Sequence, residues 1–137
     1  KNEYMKLDLY KRIARCESRE ENDAILEEVR DRFGEPPKPF FRLLEAAYVK
    51  AIAHRAYISD IKYVDGEIRF VMWPQAPVKT ERMDTLLKRY KGRLKFVPGK
   101  YAGFHIRESK TIQDEMLSTV ESIIGDIAFL TEEQADA

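Results

Sequence analysis

Cysteine, histidine and long apolar runs are all scarce in this chain. Among its 137 residues there are one cysteine, Cys16, and two histidines, His54 and His105. A single cysteine excludes an internal disulfide framework. No window approaches the ~20 consecutive apolar residues that a membrane-spanning helix needs. Neither histidine belongs to the His-x-x-x-His or Cys-x-x-Cys spacing typical of a metal site, so we predict no metal ligands and no cofactor.

Motifs of nucleotide-dependent enzymes are missing as well. The sequence contains no G-x-x-x-x-G-K-[ST] loop to cradle phosphates, and no G-x-G-x-x-G opens a predicted helix. Cys16 has no neighbouring histidine to activate its thiol. The 24 acidic residues produce carboxylate pairs by chance, so such pairs do not indicate a catalytic cleft. We predict that the chain is not an enzyme and binds no small-molecule ligand.

Charge is abundant, balanced in total and uneven along the chain. The 24 acidic and 24 basic residues cancel, which argues against a protein that binds nucleic acid through bulk positive charge. Residues 17–35 are rich in acids, the stretch from Arg82 to Lys100 is rich in bases, and no Lys or Arg follows Lys110. Such separation produces charged surfaces, and charged surfaces steer association.

Three helices are predicted in the first part of the chain. The first runs from Met5 to Cys16 and is expected to bury one face, which carries Leu7, Tyr10, Ile13 and Ala14. Ser18 and Glu21 have the S-x-x-E form of a capping box that starts a second helix, and Gly34 followed by two prolines ends it. The third helix fades near Tyr57, and its wide apolar face comprises Phe40, Phe41, Leu43, Leu44, Ala47, Ala51 and Ile52.

Two hairpins and two helices are predicted after that. The runs Ile58–Val64 and Glu67–Trp73 flank Asp65-Gly66, a pair that tolerates the positive φ of a two-residue turn. Helical spacing returns from Val78 to Tyr90. The runs Leu94–Val97 and Ala102–Arg107 flank a longer loop at Pro98-Gly99-Lys100, and a closing helix carries Ile112, Met116, Val120, Ile123 and Ile127.

This order of elements predicts an α+β fold. We expect the N-terminal helices and the long C-terminal helix to pack on a small antiparallel sheet made of the two β-hairpins. A single domain over residues 1–130 and a frayed tail over residues 131–137 fit the length. The chain begins with Lys1 and opens directly into a helical pattern, so we interpret it as a piece of a larger protein.

The second predicted helix carries an acidic face. On a helical wheel Glu27, Glu28 and Asp31 lie opposite the apolar stripe, with Arg30 and Arg32 to the sides. Glu28 and Asp31 are three residues apart, and like charges at that spacing repel by a few tenths of a kcal/mol. The spacing alone is more typical of an ordinary solvated surface than of a surface made for a partner.

Two motifs in this region resemble a known family. The stretch Leu-Tyr-Lys-Arg-Ile-Ala at 9–14 and the stretch Glu-Val-Arg-Asp-Arg-Phe-Gly-Glu-Pro at 28–36, followed by Leu43-Leu44, are similar to the C-terminal domain of bacterial transcription-repair coupling factor (Mfd). The resemblance rests mainly on residues 7–58. Beyond them only the layout of hairpins and helices is shared.

The resemblance implies a regulatory role. Proteins of that family are ATP-driven DNA translocases that displace stalled RNA polymerase and recruit UvrA, and their motor lies outside the matching segment. Their C-terminal domain is expected to clamp a UvrB-like N-terminal module of the same polypeptide, which masks the UvrA-binding surface and restrains the motor. By motif position, Glu28 and Asp31, with Glu27 and Arg32 beside them, are the expected interdomain interface. The implied location is cytoplasmic.

A different class of function stays open beside this one. A basic segment with interleaved aromatic residues is typical of nucleic-acid contacts, and such a segment lies between Arg82 and Lys100. The alternative prediction is therefore a nucleic-acid-binding module. Its candidate contacts are Lys88, Arg89, Lys91, Arg93 and Lys95.

Overall fold

The computed structural model describes residues 2–108 and 113–133. The chain divides into two compact units, Lys1–Ile52 and Ala53–Ala137. In chain order the elements are α1 (Asn2–Ala14), α2 (Arg19–Phe33), α3 (Lys38–Arg55), β1 (Ile58–Val64), β2 (Glu67–Met72), α4 (Thr80–Arg89), β3 (Leu94–Val97), β4 (Gly103–Arg107) and α5 (Gln113–Ala128). This order confirms the predicted α+β class and both hairpins.

Three predicted boundaries concern the closing helix, the single domain and the C-terminal tail. The start of the closing helix, predicted at Ile112, lies outside the described residues. The single domain over residues 1–130 stays a prediction. In the predicted tail, Thr131 is buried and its N–H donates to the carbonyl of Ala128 at 3.1 Å, whereas residues 134–137 lie outside the described part.

Capping at both ends fixes the length of α2. The Oγ of Ser18 accepts a hydrogen bond from the N–H of Glu21 at 3.1 Å, as the capping box requires. The Glu21 carboxylate accepts from the N–H of Glu17 at 3.1 Å, one residue earlier than a standard box would have it. At the other end the N–H of Gly34 donates to the carbonyl of Arg30 at 3.0 Å. These bonds occupy backbone groups that a helix end leaves without partners.

The buried side of α1 differs from the predicted one. Leu7 and Tyr10 are 53% and 55% exposed, and Ala14 is exposed too. Ile13 and Cys16 are buried instead, with Leu9 packed beside them. The sequence offers two apolar stripes about a quarter turn apart, and the residues available on α2 and α3 decide which one is covered. The predicted face was therefore wrong except for Ile13.

One hydrophobic cluster holds the three helices of this unit together. It consists of Ile13, Cys16, Ile25, Val29 and Leu44, with Leu9, Leu26, Phe40 and Ala47 packed against it. Burial raises the pKa of the Cys16 thiol, so this cysteine is a packed apolar side chain. Asn22, also buried, donates from its Nδ2 to the carbonyl of Leu44 at 3.3 Å and so ties α2 to α3.

The second unit contains a four-stranded antiparallel sheet with strand order β1-β2-β4-β3. The two predicted hairpins are joined by pairing of β2 with β4. Asp65 and Gly66, at the β1–β2 turn, have φ of 54° and 76°, the positive values that a two-residue hairpin turn with the correct twist demands. The sequence signal for this turn is confirmed.

The two faces of the sheet differ in chemistry. Directly opposed residues point to the same side, and the alternation along β2 places Ile68, Phe70 and Met72 on the buried side. The register puts Phe104 opposite Phe70 and Ile106 opposite Ile68, and all four are at most 2% exposed. The other side, which we call the polar face, carries Lys62, Glu67, Arg69, Lys95, His105 and Arg107.

Helix α4 is tied to the end of α5 by polar contacts. The Nη1 of Arg82 donates to the carbonyl of Phe129 at 2.7 Å, and Arg89 forms an ion pair with Asp126 at 2.9 Å. The Tyr90 hydroxyl donates to the same carboxylate. Burial, reinforced by that hydrogen bond, raises the pKa of Tyr90. The arginines at 82 and 89 are thus engaged within the fold.

Gly103 lies on β4 directly against the backbone of β2. A Cβ added at this position would stand 2.9 Å from the carbonyl carbon of Phe70 and 3.0 Å from the Cα of Val71. Both neighbours are backbone atoms in a paired strand, so they cannot move aside without breaking the pairing of Val71 with Gly103. Only glycine fits here.

We expect Gly103→Ala to lower the free energy of unfolding by about 3 kcal/mol, the upper range for overpacking. Urea unfolding followed by circular dichroism measures the change. Gly125→Ala is the matched control, because Gly125 is exposed in α5 with no atom within 4 Å of its added Cβ. It should raise stability by up to ~1 kcal/mol through helix propensity. Equal stability of the two variants would contradict the close approach.

Candidate docking surface on the second helix

The buried side of α2 determines where its acidic residues lie. Asn22, Ile25 and Val29 are buried and face the cluster of the first unit. Glu27 and Asp31 lie on the opposite side and are exposed. Glu28 is half-buried, so the predicted acidic group is not uniform in its surroundings.

Glu28 is engaged in an ion pair with α1. The Nη1 and Nη2 of Arg12 donate to its two carboxylate oxygens at 2.9 and 2.8 Å, a bidentate geometry. The Nη1 of Arg32 adds a third contact at 3.2 Å. Hydrogen bonding from Arg12, supported by Arg32, lowers the pKa of Glu28 to about 2 against the cost of partial desolvation. The carboxylate of Glu28 is therefore ionised, and its charge is offset by the two arginines. It connects α1 with α2 through Arg12.

The acids without an ion pair form a different set. Glu20, Asp23, Glu27 and Asp31 recur at three- and four-residue steps along α2, and all four are exposed. None of them has a salt-bridge partner in the described part of the chain. We call these four residues the acid stripe. Its negative charge is available to an external partner, unlike that of Glu28.

The arginines beside the stripe have partners of their own. Arg30 forms a bidentate pair with Glu35 at 2.8 and 3.1 Å. Arg32 contacts Glu28, and its guanidinium lies 5.7 Å from the centroid of the Phe33 ring. Because both arginines are held toward the sides of α2, they leave the charge of the acid stripe uncompensated.

An apolar groove lies beside the C-terminal end of α2. Its volume is about 470 Å³, and we call it the proline groove. Phe33 and Tyr10, more than half exposed, form part of its wall. The wall also contains Pro36, Pro37, Phe40 and Leu43. One of its side chains, Tyr10, had been assigned to the buried face of α1 by periodicity.

The five basic residues that were predicted to contact nucleic acid lie in three different local structures. Lys88 pairs with Asp84 at 2.9 Å and Arg89 pairs with Asp126, both near the end of α4. Lys91 and Arg93 are exposed in the turn that follows, and Lys95 is exposed on β3. Two of the five charges are thus partly neutralised. The alternative nucleic-acid function stays a prediction.

Neither a metal centre nor a membrane span is visible in the described residues. Residues 2–108 and 113–133 contain no group of three or more His, Cys, Asp and Glu side chains placed to hold a metal ion. No helix within these ranges is sufficiently long and apolar to cross a bilayer. His54 is exposed, and His105 lies on the sheet with its Nδ1 3.6 Å from Glu67.

The sequence did not predict that Arg12 is the main ion-pair partner of Glu28. Arg12 is 16 positions away, and only the packing of α1 on α2 brings the two together. The acid stripe could have been found from the sequence, because its members share one face at helical spacing. The resemblance drew attention to Glu28 and Asp31 instead, and only Asp31 belongs to the stripe.

Comparison with known proteins gives a consistent result. A family model described as the TRCF domain matches residues 1–83, more than half of the chain. A crystal structure of the C-terminal domain of transcription-repair coupling factor has a similar fold, with a TM-score of 0.79 and 19% identity, over 96% of this chain and 83% of that one. No curated protein sequence matches the chain. At that identity the solved structure establishes the fold.

The ion pair of Glu28 with Arg12 leads to a prediction about how the stability of the fold depends on pH. A folded-state pKa of about 2 for Glu28 lies below its ordinary value, so this carboxylate stabilises the fold at neutral pH. That contribution is lost as pH falls from about 4.5 toward 2. In Arg12→Gln we expect the pKa of Glu28 to rise toward its ordinary value, measured by a carboxyl NMR titration.

Arg30→Gln is the matched control for this titration. It removes an arginine from the same region, but one that pairs with Glu35 and not with Glu28. The pKa of Glu28 should stay near 2 in this variant. An unchanged Glu28 pKa in Arg12→Gln would show that Arg12 does not hold the carboxylate ionised.

Proposed function

This chain belongs to the TRCF domain family, and on that premise we propose that it is a non-catalytic regulatory domain of a transcription-repair coupling factor. The acid stripe docks on the UvrB-like N-terminal module of the same polypeptide. Docking masks the surface that UvrA binds and restrains the ATP-dependent DNA translocase. The translocase motor and its contacts with RNA polymerase and DNA lie in other parts of the parent protein, in the cytoplasm.

The observation that carries this proposal is the unpaired charge of the acid stripe. Four carboxylates on one exposed helix face repel one another, and no ion pair in the described residues offsets them. A basic surface on a partner would turn that repulsion into attraction. Complementary charge of this kind mainly sets the rate and the specificity of docking.

The proline groove offers a second element for docking, on the side of α2 that carries Val29 and Phe33. Interfaces combine an apolar centre with a polar rim, and Phe33 and Tyr10 expose more than half of their surface beside the end of α2. An apolar side chain of the module that enters this groove would gain hydrophobic burial, at about 25 cal/mol per Å². The groove would then add an apolar contact to the charged contact that the stripe makes on another side of α2.

The contacts of the residues expected at this interface support different roles for them. Both oxygens of Glu28 are held by Arg12 and Arg32, so an incoming cation would compete with two internal ones. We assign direct docking to Glu27 and Asp31. Glu28 positions α2 against α1, and Arg32 lies at the edge of the surface, where it orients Glu28.

Tethering explains how a weak contact can be effective. Two modules on one chain meet at effective concentrations that reach the millimolar range, so a charged contact of low intrinsic affinity is mostly closed. If the open form is ~1% of molecules, UvrA affinity falls ~100-fold, or about 2.7 kcal/mol. A contact of this strength can still be released when a partner binds.

The test reverses charge on the acid stripe. Glu27→Lys combined with Asp31→Lys should weaken binding of this chain to the separately produced UvrB-like module by at least about tenfold at low salt, because like charges then face each other. Titration calorimetry measures the affinity. The same double variant in the parent protein should increase capture of UvrA in a pull-down.

The matched control is Glu81→Lys combined with Glu132→Lys, which changes net charge equally at two exposed positions of the second unit. We expect it to leave both measurements unchanged. If both double variants weaken binding alike, net charge and not the stripe is responsible. If neither does so while circular dichroism shows intact folds, the proposed docking surface is wrong.

A further inference from the structure

The polar face of the sheet carries a row of basic side chains that crosses all four strands. In the register, Lys62 on β1 is opposite Arg69 on β2, Arg69 is opposite His105 on β4, and His105 is opposite Lys95 on β3. Directly opposed residues in a sheet point to the same side. The four side chains therefore share one line at right angles to the strands.

The charge of this face is predominantly positive. Arg107, in the next row, adds a fifth basic group, and the acids on the face are Asp60 and Glu67. The Lys62 and Arg107 side chains are 57% and 74% exposed, and the Nζ of Lys62 lies 3.7 Å from the Oδ2 of Asp60, which is itself 52% exposed. Lys95 is exposed as well, so the ends of the row are open to a ligand.

Two exposed aromatic side chains lie beside the paired ends of β2 and β4. Tyr101, just before β4, is 69% exposed, and Trp73, just after β2, is 45% exposed. Pairing of Val71 with Gly103 brings these two strand ends together. The Tyr101 ring has the ammonium groups of Lys62 and Lys100 at 6.0 and 5.6 Å from its centroid. An exposed ring between two cations is available for stacking.

We propose that the polar face binds single-stranded nucleic acid. Lys62, Lys95 and Arg69 contact the phosphates, and bases stack on Tyr101 and Trp73. This chemistry combines a cationic track with aromatic stacking, the general means of binding single strands without sequence preference. The surface is distinct from the acid stripe, and its function is additional to the regulatory role proposed above.

The dimensions of the row fit a short stretch of a single strand. Four strands at a spacing of about 4.8 Å span about 14 Å. A stacked nucleic-acid strand carries one phosphate per ~3.4 Å, so the row covers about four nucleotides. This equals the lower end of the site sizes found for sheet-based single-strand binders.

Glu67 limits the affinity without cancelling the charge. Its Oε1 lies 3.2 Å from Arg69 and 3.6 Å from His105, and its Oε2 lies 3.9 Å from Arg107. This one carboxylate offsets part of the positive charge at the centre of the row. The unopposed charge is greatest at the edge, where Lys95 has no acidic partner in the described part of the chain. We therefore expect weak, strongly salt-dependent binding.

The test measures fluorescence anisotropy of a labelled oligothymidylate of about 12 nucleotides at low salt. Lys62→Gln with Lys95→Gln should reduce the slope of log affinity against log salt by about 1.4, at ~0.7 for each phosphate that the protein no longer neutralises. Tyr101→Ala should weaken binding at least about fivefold, the lower bound for loss of one base stack. Circular dichroism verifies that each variant is folded.

The matched control is Lys88→Gln with Lys91→Gln, which removes the same charge from the end of α4 and the following turn. It should leave affinity and slope nearly unchanged. Loss of binding in this control but not in the Lys62 and Lys95 variant would overturn the proposal and assign the contact to the segment after α4. Absence of binding at low salt would overturn it as well.

A polyglutamate competitor distinguishes an acidic protein from a nucleic acid. We expect it to displace the oligonucleotide poorly, since it offers charge without bases to stack. Polyglutamate that binds as tightly as the oligonucleotide, together with a Tyr101→Ala variant of unchanged affinity, would contradict nucleic acid as the occupant.

Discussion

Burial of one side of α1 against α2 and α3 is the constraint on which the candidate surface depends. Ile13 and Cys16 enter the cluster with Ile25, Val29 and Leu44, and a fully buried aliphatic side chain contributes about 1.5–3 kcal/mol. The ion pair of Arg12 with Glu28 contributes less, since both side chains remain about one-third exposed and solvent screens the attraction within a surface pair. Hydrophobic burial stabilises the helix pair, and the ion pair favours one rotation of α1.

That rotation has two effects on the surface. It directs Leu7 and Tyr10 away from the cluster, so that Tyr10 becomes part of the proline groove. It also brings Arg12 to Glu28, which removes one carboxylate from the acidic face. The acid stripe is the charge that remains. The proline groove is lined from the side of α2 that carries Val29 and Phe33, so the charged and the apolar elements lie on different sides of this helix.

The sheet of the second unit shows how a pleated strand separates two functions. One side of β2 and β4 supplies fully buried residues such as Phe70 and Phe104, and the other supplies charged ones. Because side chains alternate with a period of two, one register determines both the core and the polar face. Gly103 allows β4 to approach β2 closely enough to keep that register. The basic row and the buried aromatic residues therefore depend on the same pairing.

Local signals in the sequence were sufficient for most of the elements. The Ser18 cap, the Asp65-Gly66 turn and the glycine and prolines after Phe33 act over a few residues, and the structure confirms each of them. The family resemblance was also readable, because the motifs around Phe33 are contiguous. Pairing of β2 with β4 was not predicted, since it joins residues that are more than 30 positions apart and no local signal specifies it.

By itself the sequence determined the α+β class, the helices and hairpins, and an acidic face on α2, because each of these follows from periodicity or from turn and cap chemistry between near neighbours. Only the tertiary structure decided which stripe of α1 is buried, which acid is neutralised and which basic residues align across the sheet. Those outcomes depend on contacts such as that of Arg12 with Glu28, and such contacts exist only after distant segments have packed together.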